Sequence, residues 1–188
     1  MILLRAYLLS GLVAHKVVWE RLKRRSATEP QAPVTLRVRL VKALKAVILG
    51  LILVQTAVPA YWLPISAAPA VIVTVGTAIY TLGLALALAG RLQLGDNWSD
   101  IETAQVLPRQ SVVQRGVYRY LRHPIYVGDL LLLFGLELAL NSWLVLGVAV
   151  LTPFVLARAI HEEELLKESL DGYREYCRTS KRFIPFVV

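Results

Sequence analysis

The chain is poor in charge and almost bare of the residues on which disulfide-stapled and metal-held folds depend. Of its 188 residues only 18% are Asp, Glu, Lys or Arg, and there is one cysteine, Cys177. A lone cysteine excludes an intramolecular disulfide, and neither a CxxC nor an HExxH spacing occurs to mark a metal site. His15, His123 and His161 lie far apart and spell no metal-binding pattern, so no metal is expected. The GxGxxG turn of doubly wound nucleotide sites is also missing. A soluble domain has about 25% charged and about 45–50% apolar residues. Here 56% of residues are hydrophobic and the mean hydropathy is +0.57. A soluble globular domain, a disordered chain and a secreted disulfide scaffold are thereby excluded.

What is present is long apolar runs. Residues 46–65 and 67–89 contain no ionisable group apart from tyrosine, and a run of about 18 or more apolar residues reads as a membrane span. The expected fold is all-α and integral to the membrane, a single domain over 1–188 with about five transmembrane helices. Residues 1–90 supply three of them, near 3–19, 46–62 and 69–89, with Pro59 expected to bend the outer end of the second. The first is interrupted by Arg5, His15 and Lys16; a removed signal peptide is the competing reading, but no small-residue cleavage site follows it. Residues 26–35, with two prolines, read as a linker.

Residues 91–188 differ. The apolar run 126–140 has 15 residues, about 22 Å of helix against a hydrocarbon core of about 30 Å. A polar Asn141-Ser142 turn follows, and 143–160 returns, so a short helical hairpin is expected, followed by a C-terminal helix outside the bilayer. A short entry run sinks its polar end below the membrane surface, which suits a site serving both water-soluble and lipidic reactants.

Charge placement orients the chain. The net charge is +8, and the basic residues cluster at 21–45, 91–122 and 158–182, while the turns at 64–67 and 141–142 carry none. Lys and Arg mark the cytoplasmic side. The N-terminus is expected outside, and the polar shoulders of the hairpin and the C-terminus in the cytoplasm. Topology and anionic lipid explain the positive charge without nucleic acid. Trp62, Trp98 and Trp143 are expected as interfacial anchors.

Two polar stretches flank the hairpin. In the first, 116–128, Pro124 keeps His123 out of the helix and can itself occupy the first helical turn. His123 then stands at a helix N-terminus, which favours an anionic group. In the second, 158–166, Arg158 and Glu162 are four apart and can pair, while Glu163 and Glu164 read as a solvated helix face. Asp129, three residues after Tyr126, can line the same pocket. Glu137 reads as an interfacial or paired polar group without a site role, and Cys177 as incidental.

These stretches, G-x-Y, R-H-P-x-Y-x-G, the hairpin, R-x-x-x-E-E, Y-x-x-Y and a closing basic residue with I-P, together resemble the isoprenylcysteine carboxyl methyltransferases and the related membrane phospholipid methyltransferases. Gly95-Asp96-Asn97-Trp98-Ser99 resembles their short element before the first motif. The resemblance covers about half the chain. It implies an S-adenosylmethionine-dependent membrane methyltransferase acting on a lipidic or prenylated acceptor that enters from the bilayer. It further implies cofactor binding by Gln110, Ser111, Val112, Val113, Tyr118, His123, Pro124, Ile125, Tyr126 and Glu162, with Arg158 contacting the substrate. Many relatives have histidine where Gln110 stands.

The chemistry of those roles is coherent. A carboxylate acceptor is already ionised and needs an orienting cation; an amine must first lose a proton to a base such as His161 or one of 162–164. With no unambiguous base near the hairpin, carboxyl O-methylation is the first expectation and phospholipid or amine N-methylation the alternative. A non-catalytic protein retaining the fold and a membrane reductase are the remaining readings.

Overall fold

The computed structural model describes residues 1–26, 35–60, 62–97 and 110–184. These form six α-helices, α1 (Ile2–Ser26), α2 (Leu36–Ala57), α3 (Ala70–Leu94), α4 (Pro124–Ala139), α5 (Val145–Ser169) and α6 (Tyr173–Thr179), with 3-10 turns at Gly95–Asn97 and Gly116–Arg119. Four stretches, Ile2–Lys23, Val38–Ala57, Ala70–Asn97 and Val145–Ser169, are helical, long and apolar enough to cross a membrane. The protein is an all-α integral membrane protein. α4, with 16 residues, is about 24 Å long at 1.5 Å per residue and short of the core thickness, as the hairpin reading required. The linker over 26–35, Trp98, Ser99 and Pro185 fall largely or wholly outside the described residues.

Helix boundaries differ from the hydropathy pattern in three places. α2 begins ten residues before the apolar run, at Leu36, because Thr35 caps it by accepting from the Val38 N–H. Lys42 and Lys45 therefore ride on the helix. Its other end is not bent by Pro59: the helix stops at Ala57, and Val58 is extended (φ −72°, ψ 122°) as a residue before proline must be. α5 continues past Ile160 to Ser169, so the whole second polar stretch is helical.

α3 and α4 pack through glycine. Gly76 and Gly83 on α3 and Gly128 and Gly135 on α4 repeat at seven residues, and a Cβ on any of them would fall on the partner's backbone. Small residues let membrane helices approach closely enough for dispersion to hold them. Leu8, Leu12, Tyr80, Leu132 and Leu136 fill the space between α1, α3 and α4, and the Tyr80 hydroxyl donates to the Leu8 carbonyl at 2.6 Å.

The two turns 58–69 and 140–144 close one end of the bundle. Asn141, fully buried with φ +53°, bonds both the N–H and the carbonyl of Ser66. Trp143 N donates to Leu63 O at 2.9 Å, and Trp62 and Trp143 are both exposed here. Arg5 is buried and donates to the carbonyls of Gln55, Thr56 and Ala60 at 2.8, 3.0 and 2.5 Å. The cation that interrupts the first apolar run thus satisfies the orphan carbonyls at the end of α2. Glu137 is also buried and accepts from Gln55 Nε2 at 2.9 Å.

Candidate active site

At the other end of the bundle the chain between α3 and α4 is bound to the C-terminal segment. Gly116 (φ +59°) opens the 3-10 turn, and the Val117 N–H is held by Gln93 Oε1 of α3 at 2.8 Å. Tyr118 is buried in that turn, and its carbonyl accepts from the Tyr176 hydroxyl of α6 at 2.6 Å. Beyond it, Arg122 N donates to Lys181 O at 2.8 Å and Lys181 N to Tyr120 O at 3.0 Å. Pro124 occupies the start of α4, and His123 before it has φ −121°, ψ 53°, outside the helix as the proline demands.

One carboxylate organises these pieces. Glu163, fully buried, accepts from Arg122 Nε at 2.9 Å and lies 3.0 Å from His123 Nε2 through Oε1. Its Oε2 accepts from Arg182 Nη2 and Nε at 2.9 and 3.1 Å. Arg122 also bonds the carbonyls of Cys177 and Ser180, and the Phe183 ring lies 5.7 Å from the imidazole of His123. A buried carboxylate is tolerable only when paired and hydrogen-bonded, and three cationic or donor side chains meet that need. The expectation that Glu163 lies on a solvated face is therefore overturned. Glu164 does stay at the surface, bonded to Lys167 at 2.8 Å.

Beside this cluster opens a cleft of about 710 Å³ including its mouth. Gln110, Ser111, Val112, Val113, Tyr118, His123, Ile125, Tyr126 and Glu162 all line it, so nine of the residues named from the sequence converge on one space. Pro124 is fully buried behind it and does not line it. Segment 110–113 is pinned by Asn97, whose Oδ1 accepts from Ser111 N at 2.7 Å; the short element at 95–97 thus has a positioning task. Arg122 lines it too, as expected of the charged residues 119–123 beside the hairpin, whereas Leu166 of α5 and Tyr173 and Tyr176 of α6 also line it and were not anticipated. Tyr173 and Tyr176 sit in the Y-x-x-Y motif, which signalled them without saying where they point.

The expected Arg158–Glu162 pair is not formed. Glu162 Oε2 instead accepts from the Tyr126 hydroxyl at 2.6 Å, tying α4 to α5. Arg158, half-buried one turn before Glu162 on α5, lies outside the cleft lining. Asp129 does not line the cleft either. It turns to α1 and meets His15 Nε2 at 2.9 Å. Burial raises the phenol pKa of Tyr118 and Tyr173 far above the ordinary value and pushes Tyr176 up to about 12. These walls are neutral aromatic surfaces and hydroxyl donors, not bases. Among the described residues no group of three or more His, Cys, Asp or Glu side chains is placed to hold a metal.

The solved structure of the eukaryotic intramembrane Ras methyltransferase ICMT (isoprenylcysteine carboxyl methyltransferase) superposes with a TM-score of 0.59 over 98% of this chain and 68% of that one, at 18% identity. At that identity the likeness is one of fold. Over 109 residues the chain is 31% identical to the cobalt-zinc-cadmium resistance protein CzcN of Cupriavidus metallidurans. Over 109 residues it is 29% identical to the protein-S-isoprenylcysteine O-methyltransferase of Schizosaccharomyces pombe. These matches take 55% and 56% of this chain and 46% of each relative, so the chain spans about half the length of the curated relatives it matches. The phospholipid methyltransferase family matches over residues 71–171, from the start of α3 to just past the end of α5 and so across most of the cleft-forming elements. The chain belongs to the phospholipid methyltransferase family.

Proposed function

We propose that the protein transfers the methyl group of S-adenosylmethionine to a hydrophobic acceptor held in the membrane, by carboxyl O-methylation of the isoprenylcysteine type. The observation that carries this reading is the convergence of both motif stretches on one cleft at the polar end of a membrane bundle. The residues suit the donor. Tyr118, Tyr126 and Tyr173 offer aromatic faces for an adenine and a sulfonium. Arg122, His123 and the N-terminus of α4 suit a carboxylate. Glu162, with one oxygen engaged by Tyr126, offers the other to an ammonium or a ribose hydroxyl. When bound, the donor supplies an electrophilic methyl; the chain's part is to align the acceptor with it and exclude water. The charge placement supports a cleft facing the cytoplasm and an N-terminus outside.

Carboxylate is favoured over amine within the cleft because its acid–base groups are engaged. Glu162 is bonded to Tyr126, and His123 to the buried Glu163 behind the cleft. An acceptor that is already ionised needs only a cation, which Arg158 supplies at the membrane side. The test is incubation of purified, reconstituted protein with methyl-labelled S-adenosylmethionine and an N-acetylated S-prenylcysteine. A labelled product that releases methanol in mild base is expected. A base-stable label would replace the ester with an N-methyl product, and no transfer to any membrane extract would remove the activity.

A further inference from the structure

A second cleft adjoins the turn that carries Tyr118. It encloses about 1280 Å³ including its mouth, and its lining includes Gln114, Arg115, Arg119, Tyr120, Tyr176 and Thr179. Tyr176 is the one lining residue it shares with the candidate active site. The 3-10 turn Gly116–Arg119 stands between the two: Tyr118 is buried and lines the first cleft, whereas Arg119, with Arg115 and Tyr120 on either side of the turn, is exposed and lines the second.

The charge of this second lining is all of one sign. It holds two arginines and no Asp or Glu, and among the described residues neither guanidinium is paired with a carboxylate. Glu175, next to Tyr176 on α6, is taken by Arg178 at 2.9 Å. Lys181, whose N–H donates to the Tyr120 carbonyl at 3.0 Å, brings a further exposed cation next to Tyr120. Arg119 lies over the Tyr120 ring at 5.9 Å, a cation–π contact that limits where its guanidinium can go. The Thr179 hydroxyl is spent on the Tyr176 carbonyl, while the exposed Gln114 amide is a neutral donor. Two guanidinium forks and an amide, with no competing carboxylate, recognise phosphate oxygens.

The depth of the groove in the membrane selects among phosphates. Its turn is tied to α3 through Gln93, which accepts from the Val117 N–H at 2.8 Å. From Ala70 to Gln93 is about 35 Å of helix, or a rise of about 33 Å at an ordinary tilt of about 20°. The hydrocarbon core is about 30 Å thick and the bilayer with its headgroups about 40–45 Å. A helix that enters the core beside the exposed Trp62 therefore leaves it just before Gln93. The groove stands level with the lipid phosphates, and the exposed Tyr120 suits that zone.

We propose that this groove seats the headgroup phosphate of a net-anionic membrane lipid. The lipid is not the methyl acceptor, since Arg115 and Arg119 line no part of the first cleft, and the proposal stands independently of the methyl-transfer reading. The experiment measures retention of labelled phosphatidylglycerol by the full chain in neutral-detergent micelles, with phosphatidylcholine and glycerol 3-phosphate as competitors. Phosphatidylglycerol is expected to bind at one site per chain, at least about tenfold tighter than phosphatidylcholine, and to weaken as salt is raised. Arg115→Gln combined with Arg119→Gln should weaken it about 30-fold with Tm within about 2 °C, since both side chains are exposed. Arg21→Gln combined with Arg39→Gln removes the same charge from exposed positions on α1 and α2 and should change retention less than about threefold. Unchanged retention in the first double variant, or equal loss in the second, would overturn the proposal. Equal retention of the two lipids by the wild type, or retention insensitive to salt, would overturn it without recourse to any variant. Displacement by glycerol 3-phosphate as readily as by unlabelled phosphatidylglycerol would make this a free-phosphate site and overturn the lipid assignment.

Discussion

Replacing Glu163 by glutamine removes the one charge around which the C-terminal segment is gathered. The side chain is fully buried and faces Arg122, Arg182 and His123. Removing one partner of a buried ion pair costs about 3–5 kcal/mol, because the others are left uncompensated. Here the lower end applies: Arg182 is 28% exposed and can turn to water, whereas Arg122, at 9%, cannot. For a chain of this size each kcal/mol moves Tm by about 2–4 °C, so about 3 kcal/mol gives a fall of roughly 6–12 °C. The assay is thermal unfolding of the detergent-solubilised protein, together with protease nicking of residues 180–184, which should be released first. A Tm within about 1 °C of wild type and an unchanged nicking rate would refute the assignment of Glu163 as the centre of this cluster.

Other expectations follow from single contacts. Tyr126→Phe removes a 2.6 Å bond to a carboxylate and should destabilise by about 1.5–3 kcal/mol, seen as a lower Tm and weaker donor binding. Gly83→Val should cost at least about 1–3 kcal/mol by overpacking and reduce recovery of folded protein, since a Cβ there meets the backbone of α4; Gly50→Ala, with open space around it, should gain about 0.5–1 kcal/mol. Tyr118, Tyr173 and Tyr176 have folded pKa values raised by burial, Tyr176 to about 12. Their contribution is whole below the unfolded value near 10 and is lost as pH rises through the folded values. A pH series should therefore show Tm falling steadily from about pH 10 upward, and a flat Tm there would contradict their burial.

Much of the site was legible because proline and spacing constrain the backbone directly. Pro124 can only begin a helix, so His123 had to stand at its N-terminus, and the short run after it had to be a truncated helix. The sequence could not say which of Glu162, Glu163 and Glu164 points inward, since consecutive helical residues differ by about 100° in direction. Glu163's partners come from 40 residues upstream and 19 downstream, distances no local pattern records. The Arg158–Glu162 pair was a sound local expectation that lost to a tertiary partner, the Tyr126 hydroxyl. Asp129 follows Tyr126 by three residues on α4, but it turns to α1 and meets His15 there instead of lining the cleft. Helix ends were misread where hydropathy stood in for capping: Thr35 starts α2 among basic residues, and Pro59 ends it.

Equilibrium binding of labelled S-adenosylmethionine to the purified protein addresses the cleft most directly. Saturable binding at one site per chain is expected, weakened at least about tenfold in His123→Ala and Glu162→Ala. The absence of saturable binding, or equal affinity in both variants, would contradict the placement of the methyl donor between α4, α5 and α6.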